Sequence, residues 1–256
     1  MMKIMYLGIA VWPSWEIAAR KMWIWRRSID RFGYRFFYYG VGTPSFPGYR
    51  HQKVESQLRH LLTYGYGDAT HIFYTDCCDC LMLAPPGEIE QKYKSMGCPP
   101  MIVSASRELG NTSIDQYPCF ERQDAPFCFP KLFRYPNVGG YLMEAPLLIE
   151  FLKKIHDDYP DVGDDCYVWY DGFAKGWFRP VLDSDCQFWQ VRSHEEEFTE
   201  IVERDGFLRF RNKVTGSYPC IWHNSGGYAD LDTFKDYAMQ PWAERLGILA
   251  PGETRP

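Results

Sequence analysis

Two carboxylates three residues apart, Asp76 and Asp79, stand directly behind a short apolar and aromatic run, His71 to Thr75. That run reads as a buried strand, and in open α/β sheets ligands bind in the crevice beyond the carboxyl ends of the strands. Two acids so placed can hold a divalent cation against the phosphates of a bound nucleotide. They can equally be a pair of turn formers, because Asp bonds its own nearby backbone. Two further segments offer polar groups at strand ends or helix starts. Asp183 and Asp185 lie just ahead of an aromatic run that reads as the start of a helix, where they could serve chemistry or simply cap it. His223-Asn224-Ser225-Gly226-Gly227 follows a strand, and a lone His there can be a ligand or a structural hydrogen-bonder. Gly139-Gly140 and Gly226-Gly227 mark turns or close backbone approach.

The elements that must position these residues read as an α/β chain. Lys3 to Val11 is an apolar run suited to a central strand. Ser14 is placed to cap a helix through about Arg31, with Ala18, Met22, Trp25 and Ile29 on one face, and Gly33 to end it. Tyr34 to Tyr39 is a second strand, giving a β-α-β opening typical of a parallel sheet. A Gly/Pro-rich loop, Gly40 to Gly48, precedes a helix from His51 to Leu62. After the Asp pair, Pro86 and Gly87 introduce a short helix through Tyr93, and Met101 to Ser104 is a strand. Gly110 to Lys131 lacks periodicity and reads as a long surface excursion. Asn137 to Met143 is a strand, Ala145 to Tyr159 a helix, Asp161 to Asp165 an acidic loop, and Phe207 to Arg211 and Cys220 to Trp222 two last strands. No repeat or Pro/Ser linker splits the chain, so residues 1–256 read as one domain.

Bulk properties narrow the function. Hydrophobic content of 46% and charge of 24% are ordinary for a soluble globular protein of 256 residues. Nine Trp and eighteen Tyr are many; sugar sites use aromatic faces, but so do large cores. A net charge of −5 with no basic stripe argues against nucleic acid as a partner. Nine cysteines are too few for a disulfide scaffold, and Cys77, Cys78 and Cys80 are too crowded to form a tetrahedral zinc site alone. Ordinary reduced thiols are expected. No apolar run nears eighteen residues and no signal-peptide pattern opens the chain, so no membrane segment and a cytoplasmic location are expected.

Five segments in order, Gln52-Lys53-Val54, Phe73 to Asp79, Asn137 to Leu142, Asp183 to Phe188 and Trp222 to Gly226, carry a resemblance. Together they resemble the glycosyltransferase domain of the procollagen lysyl hydroxylase/glucosyltransferase family, which is related to the procollagen galactosyltransferases. The similarity runs collinearly over roughly Lys3 to Phe234. It implies an α/β, GT-A glycosyltransferase fold: a Rossmann-like mixed sheet flanked by helices, with an irregular acceptor-binding C-terminal part. The nucleotide-binding half would cover about 1–110, and the half that completes the acceptor and metal sites about 111–240. The implied chemistry is transfer of a hexose from a UDP-sugar, UDP-glucose or UDP-galactose, to a hydroxyl acceptor on protein, peptide or glycan, with Mn²⁺. Asp76, Asp79 and His223 match the metal ligands. Lys53, Asp76, Asn137, Gly139, Gly140 and Gly226 fall on the donor-binding segments, and Asp185, with Asp183, matches the aspartate cluster near the transferred sugar.

The donor chemistry agrees, since carboxylates plus an imidazole suit Mn²⁺ better than the all-oxygen octahedron of Mg²⁺. The chain departs from the family at three points: Cys77-Cys78 replaces Ser-Tyr, Cys186 replaces an acid, and His-Asn-Ser-Gly replaces His-Gly-Asn-Gly. Two other functions stay open on these residues, a catalytically silent nucleotide-sugar or glycan-binding protein and a UDP-sugar hydrolase.

Overall fold

The first apolar run forms strand β1 (Ile4–Ile9) in a computed structural model that describes residues 2–10, 12–42, 49–108, 132–160, 165–191, 195–225 and 234–254. Ser14 caps the helix that follows, its Oγ accepting the Ile17 N–H at 3.3 Å. The expected single helix is two, α1 (Trp15–Lys21) and α2 (Trp23–Phe32), jointed at Met22. Gly33, in the left-handed region at φ 70°, stops α2, a conformation that costs a residue without Cβ least. Then come β2 (Phe36–Tyr39), α3 (Tyr49–Tyr64), β3 (His71–Asp76), β4 (Cys80–Met82), α4 (Pro86–Ser95), β5 (Met101–Ser106), β6 (Tyr135–Glu144), α5 (Ala145–Asp158) and α6 (Asp165–Ala174). The C-terminal part holds β7 (Val181–Leu182), β8 (Trp189–Val191), α7 (Glu195–Phe198), β9 (Thr199–Arg204), β10 (Phe207–Asn212), β11 (Ile221–His223) and α8 (Phe234–Arg245).

Six strands form the central sheet in the order β2-β1-β3-β6-β5-β7. β2, β1 and β3 are parallel, β6 opposes both β3 and β5, and β7 runs with β5. Five strands therefore share one direction and β6 alone reverses, which is the mixed α/β sheet expected. Alternation along the strands divides the core. Leu7, Ile72, Tyr74, Val103, Tyr141 and Met143 face α3, α5 and α6. Tyr6, Phe73, Ile102 and Leu142 face α2, α4 and a second, three-stranded sheet, β4-β11-β8. Each such fully buried large side chain contributes about 1.5–3 kcal/mol. Most of the tryptophans are spent here: Trp12, Trp23, Trp25, Trp169, Trp189 and Trp222 are all buried.

Two further sequence expectations need correcting. The aromatic run after Asp183 and Asp185 does not start a helix; Trp189–Val191 is strand β8, paired in parallel with β11. The reason is local: the Asp183 carboxylate accepts the N–H groups of Gln187, Phe188 and Trp189, each at 2.8 Å, and turns the chain straight into the strand. Asp165 begins α6 rather than ending a loop, while 161–164, Gly226-Gly227 and the excursion from Gly110 to Lys131 lie outside the described residues.

Candidate metal centre

Because β1, β2, β3, β5 and β7 run one way, their carboxyl ends share an edge of the sheet. Asp76 closes β3 there, level with Ile9 of β1, and Asp183 follows β7. The antiparallel β6 enters from the same edge, placing Asn137 beside Ser104 and Gly140 beside Thr75. Four of the sequence candidates are thus gathered by topology alone.

The second sheet delivers the rest. After Asp76 the chain turns through Cys77 and Cys78 and enters β4, which pairs with β11 so that Cys80 lies opposite His223. The Asn224 N–H donates to the Asp79 carbonyl at 2.7 Å, locking the two turns together. His223 Nε2 consequently lies 3.9 Å from Asp76 Oδ2 and 3.8 Å from Asp79 Oδ2. These spans exceed a hydrogen bond. They fit two donors on one ion, whose separations run from about 3 to about 4 Å with bonds near 2.1 Å. Asp79 is 4% exposed and His223 2%, and burying an ionised carboxylate is costly without a compensating cation. The imidazole Nδ1 is buried with no hydrogen-bond partner among the described residues. Donor types and burial suit a divalent ion, and His223 stands within reach of each carboxylate in turn, which makes Asp76, Asp79 and His223 candidate ligands.

Cys80 is a rival third donor that the sequence reading left out. One donor atom each from Asp79, Cys80 and His223 lie within 4.8 Å of one another. Its Sγ, however, accepts the Thr75 hydroxyl at 3.1 Å. Burial, with Asp79 and Asp76 nearby, pushes the thiol well above its ordinary pKa. Asp76 and Cys80 are thus alternative third donors beside Asp79 and His223.

Lys53 and Tyr74 both hold the other oxygen of Asp76. The ammonium stands 2.8 Å from Oδ1 and the Tyr74 hydroxyl donates to the same atom. Tyr74 and Asp76 project to the α3 side of the sheet, and Lys53 lies on that helix. Asn137 ties the two sheets at the site, donating from Nδ2 to Ser225 Oγ at 3.2 Å and accepting the Gly139 N–H at 3.1 Å.

The glycine pair has a use the sequence did not show. A Cβ on Gly139 would sit 2.0 Å from His223 Cε1, and one on Gly140 would sit 2.3 Å from Trp189 Nε1. The two positions are bare because those rings lie on them. Trp189 in turn stacks on Phe73, with centroids 5.3 Å apart. Cys77 is fully buried against Gly8, where a Cβ would meet its Sγ at 2.4 Å.

The two acids of the segment around Asp183 and Asp185 separate. Asp185 is exposed. Asp183 is 1% exposed and engaged with three backbone N–H groups; burial pushes its carboxyl up to about 7 against the pull of those donors and of Lys92. A buried ionic brace supports this loop from behind. Arg209 makes a two-pronged pair with Glu88, at 2.6 and 3.0 Å. Lys92 pairs with Glu88 at 2.8 Å and donates to the Gln187 carbonyl at 2.8 Å. Desolvation would raise the Glu88 carboxyl, but Arg209 and Lys92 outweigh it and hold it at about 2.

No family model matches the sequence, and no curated protein is similar to it. The structure does have a likeness among solved ones. It superposes on a glycosyltransferase involved in the glycosylation of the major capsid of PBCV-1, over 93% of this chain and 98% of that one, with a TM-score of 0.51 and 12% identity. The chain has the fold of a glycosyltransferase. No helix among the described residues is long and apolar enough to cross a membrane.

Proposed function

We propose that the chain is a metal-dependent glycosyltransferase, moving a hexose from a UDP-sugar to a hydroxyl acceptor. One observation carries this reading: Asp76, Asp79 and His223, from two different sheets, converge at the carboxyl edge of a glycosyltransferase fold. Mn²⁺ is the ion that suits two carboxylates and an imidazole, and when bound it would neutralise the diphosphate of the departing UDP. The chain's own residues do the remainder. Asp76 and Asp79 would hold the ion, and Lys53, its ammonium 2.8 Å from Asp76 Oδ1, would add a point charge for the diphosphate. Asn137 fixes the turn after His223. Asp185, which is exposed, would accept sugar hydroxyls or take the acceptor's proton. The order of motifs supports a procollagen glucosyltransferase-like ancestry, with glucose or galactose as the sugar.

A silent nucleotide-sugar-binding protein is favoured by one feature. Asp183 is committed to the backbone of its own loop, so Asp185 stands alone in the aspartate cluster. The test is UDP release from UDP-glucose, UDP-galactose and the N-acetyl sugars, with Mn²⁺ and then with chelator. Mn²⁺-dependent release that Asp76→Ala and Asp79→Ala abolish is expected. Rapid release without acceptor would favour the hydrolase, and UDP binding without release from any donor would favour the binding protein.

A further inference from the structure

Asp76 divides its two oxygens between opposite jobs. Oδ2 faces His223 Nε2 at 3.9 Å. Oδ1 takes a Lys53 ammonium at 2.8 Å and the Tyr74 hydroxyl. With Oδ1 so occupied, Asp76 presents one oxygen to an ion. The clamp is rigid because its parts brace one another. The ammonium also lies over the Tyr74 ring, 5.5 Å from its centroid. That ring stacks on Tyr141 at 4.6 Å, and the Tyr141 hydroxyl donates to Gln57 at 2.7 Å, one turn along α3 from Lys53. Lys53 thus brings a fixed positive charge to a site that must also take a dication. Like charges a few ångströms apart in a half-buried site repel strongly.

Resting on the reading that Asp76, Asp79 and His223 bind a divalent ion, we propose that Lys53 is a resident counter-cation that couples metal binding to nucleotide binding. Without nucleotide, the ammonium neutralises Asp76 and weakens the ion's hold. A diphosphate offers the ammonium a second partner and offsets the repulsion, so ion and diphosphate each strengthen the other by the same factor. Lys53 is then a positioning residue, and the coupling keeps the site from filling tightly with metal alone.

Isothermal titration tests this with MnCl₂ alone, UDP alone, and MnCl₂ in saturating UDP, on the full chain as wild type, Lys53→Met and Tyr74→Phe, each shown folded by circular dichroism. In the wild type, UDP should tighten Mn²⁺ binding about tenfold or more. Lys53→Met should bind Mn²⁺ alone about tenfold more tightly than the wild type, with the tightening by UDP reduced to about threefold or less. Tyr74→Phe keeps the charge and should keep the coupling. Should Lys53→Met fail to fold, Lys53→Gln, which retains a donor to Oδ1 without the charge, carries the same expectation. Mn²⁺ affinity in the Lys53 variant within about twofold of wild type, with coupling intact, overturns the proposal and leaves the metal centre standing. A wild type that binds no Mn²⁺ with or without UDP overturns both.

Discussion

Replacing Gly139 by alanine should damage the proposed metal centre without substituting any of its ligands. The new Cβ would lie 2.0 Å from Cε1 of His223, 2.8 Å from Nε2 and 2.9 Å from Nδ1. Ordinary carbon contacts begin near 3.5 Å, so the ring or strand must move by roughly 1.5 Å. Neither moves easily. His223 is 2% exposed, and β11 is bonded on both sides, to β4 and to β8. Overpacking of this kind costs about 1–3 kcal/mol, measurable as a fall in the urea midpoint. Metal–ligand bonds tolerate only about 0.2 Å, so a displaced imidazole leaves the ion with two protein donors and Mn²⁺ affinity should fall at least about tenfold. Gly140→Ala is the matched control. Its Cβ would strike Trp189 Nε1 at 2.3 Å, a similar overlap spent on the Phe73 stack instead. Titration calorimetry with MnCl₂, beside urea denaturation of both variants, separates the effects. Equal loss of stability with Mn²⁺ affinity lost only in Gly139→Ala is expected. Wild-type affinity in a folded Gly139→Ala protein would refute the placement of His223.

The identity of the third donor is decided by Asp76→Ala against Cys80→Ala: the first should abolish Mn²⁺ binding, whereas the second should retain it within a few fold, and the reverse pattern would assign the site to Asp79, Cys80 and His223. Glu88 is held at about 2, below its ordinary 4.5, so its contribution is present above pH 4.5 and lost as pH falls toward 2. Urea midpoints should drop across that window, and Glu88→Gln should flatten the drop while lowering stability at pH 7 by about 3–5 kcal/mol, because Arg209 loses its charge partner in a buried site. Asp183 has the opposite sign. Its carboxyl is raised to about 7, so its contribution is fullest below pH 4 and is lost as pH rises through 7. Asp183→Asn should remove that slope, which a midpoint series from pH 4 to 8 would reveal.

The local half of this site was legible in the sequence. His71 to Thr75 is apolar, β-branched and aromatic, so the strand and the position of Asp76 at its end follow from residue type alone. The parallel opening of the sheet followed from two apolar runs separated by a capped amphipathic helix. What stayed hidden depends on partners distant in sequence. β4 is three residues long, and only its pairing with β11 makes it a strand; the unbroken apolar run from Cys80 to Ala84 was the available signal. The aromatic residues after Asp185 could serve a helix or a buried strand equally well, and Asp183's bonds to three successive N–H groups decided it. Lys53 falls on a donor-binding segment by resemblance, but its partnership with Asp76 is set by how α3 lies on the sheet, which no local pattern encodes.

The proposed centre is split between Asp76, at the end of the central sheet, Asp79, in the turn that leads from it into β4, and His223, at the end of β11 in the second sheet. An ion gripped by all three closes a loop of about 150 residues, the kind of long tie that most restricts an unfolded chain. The cation would then act as a fastener as well as a reagent, and protein loaded with it should melt as one unit. The same separation sets a biosynthetic order. A nascent chain can complete its central sheet once β7 is made, ahead of β11, and a product ending before β11 would lack one of the three proposed ligands. On the proposed reading, the site is complete only once β11 is made.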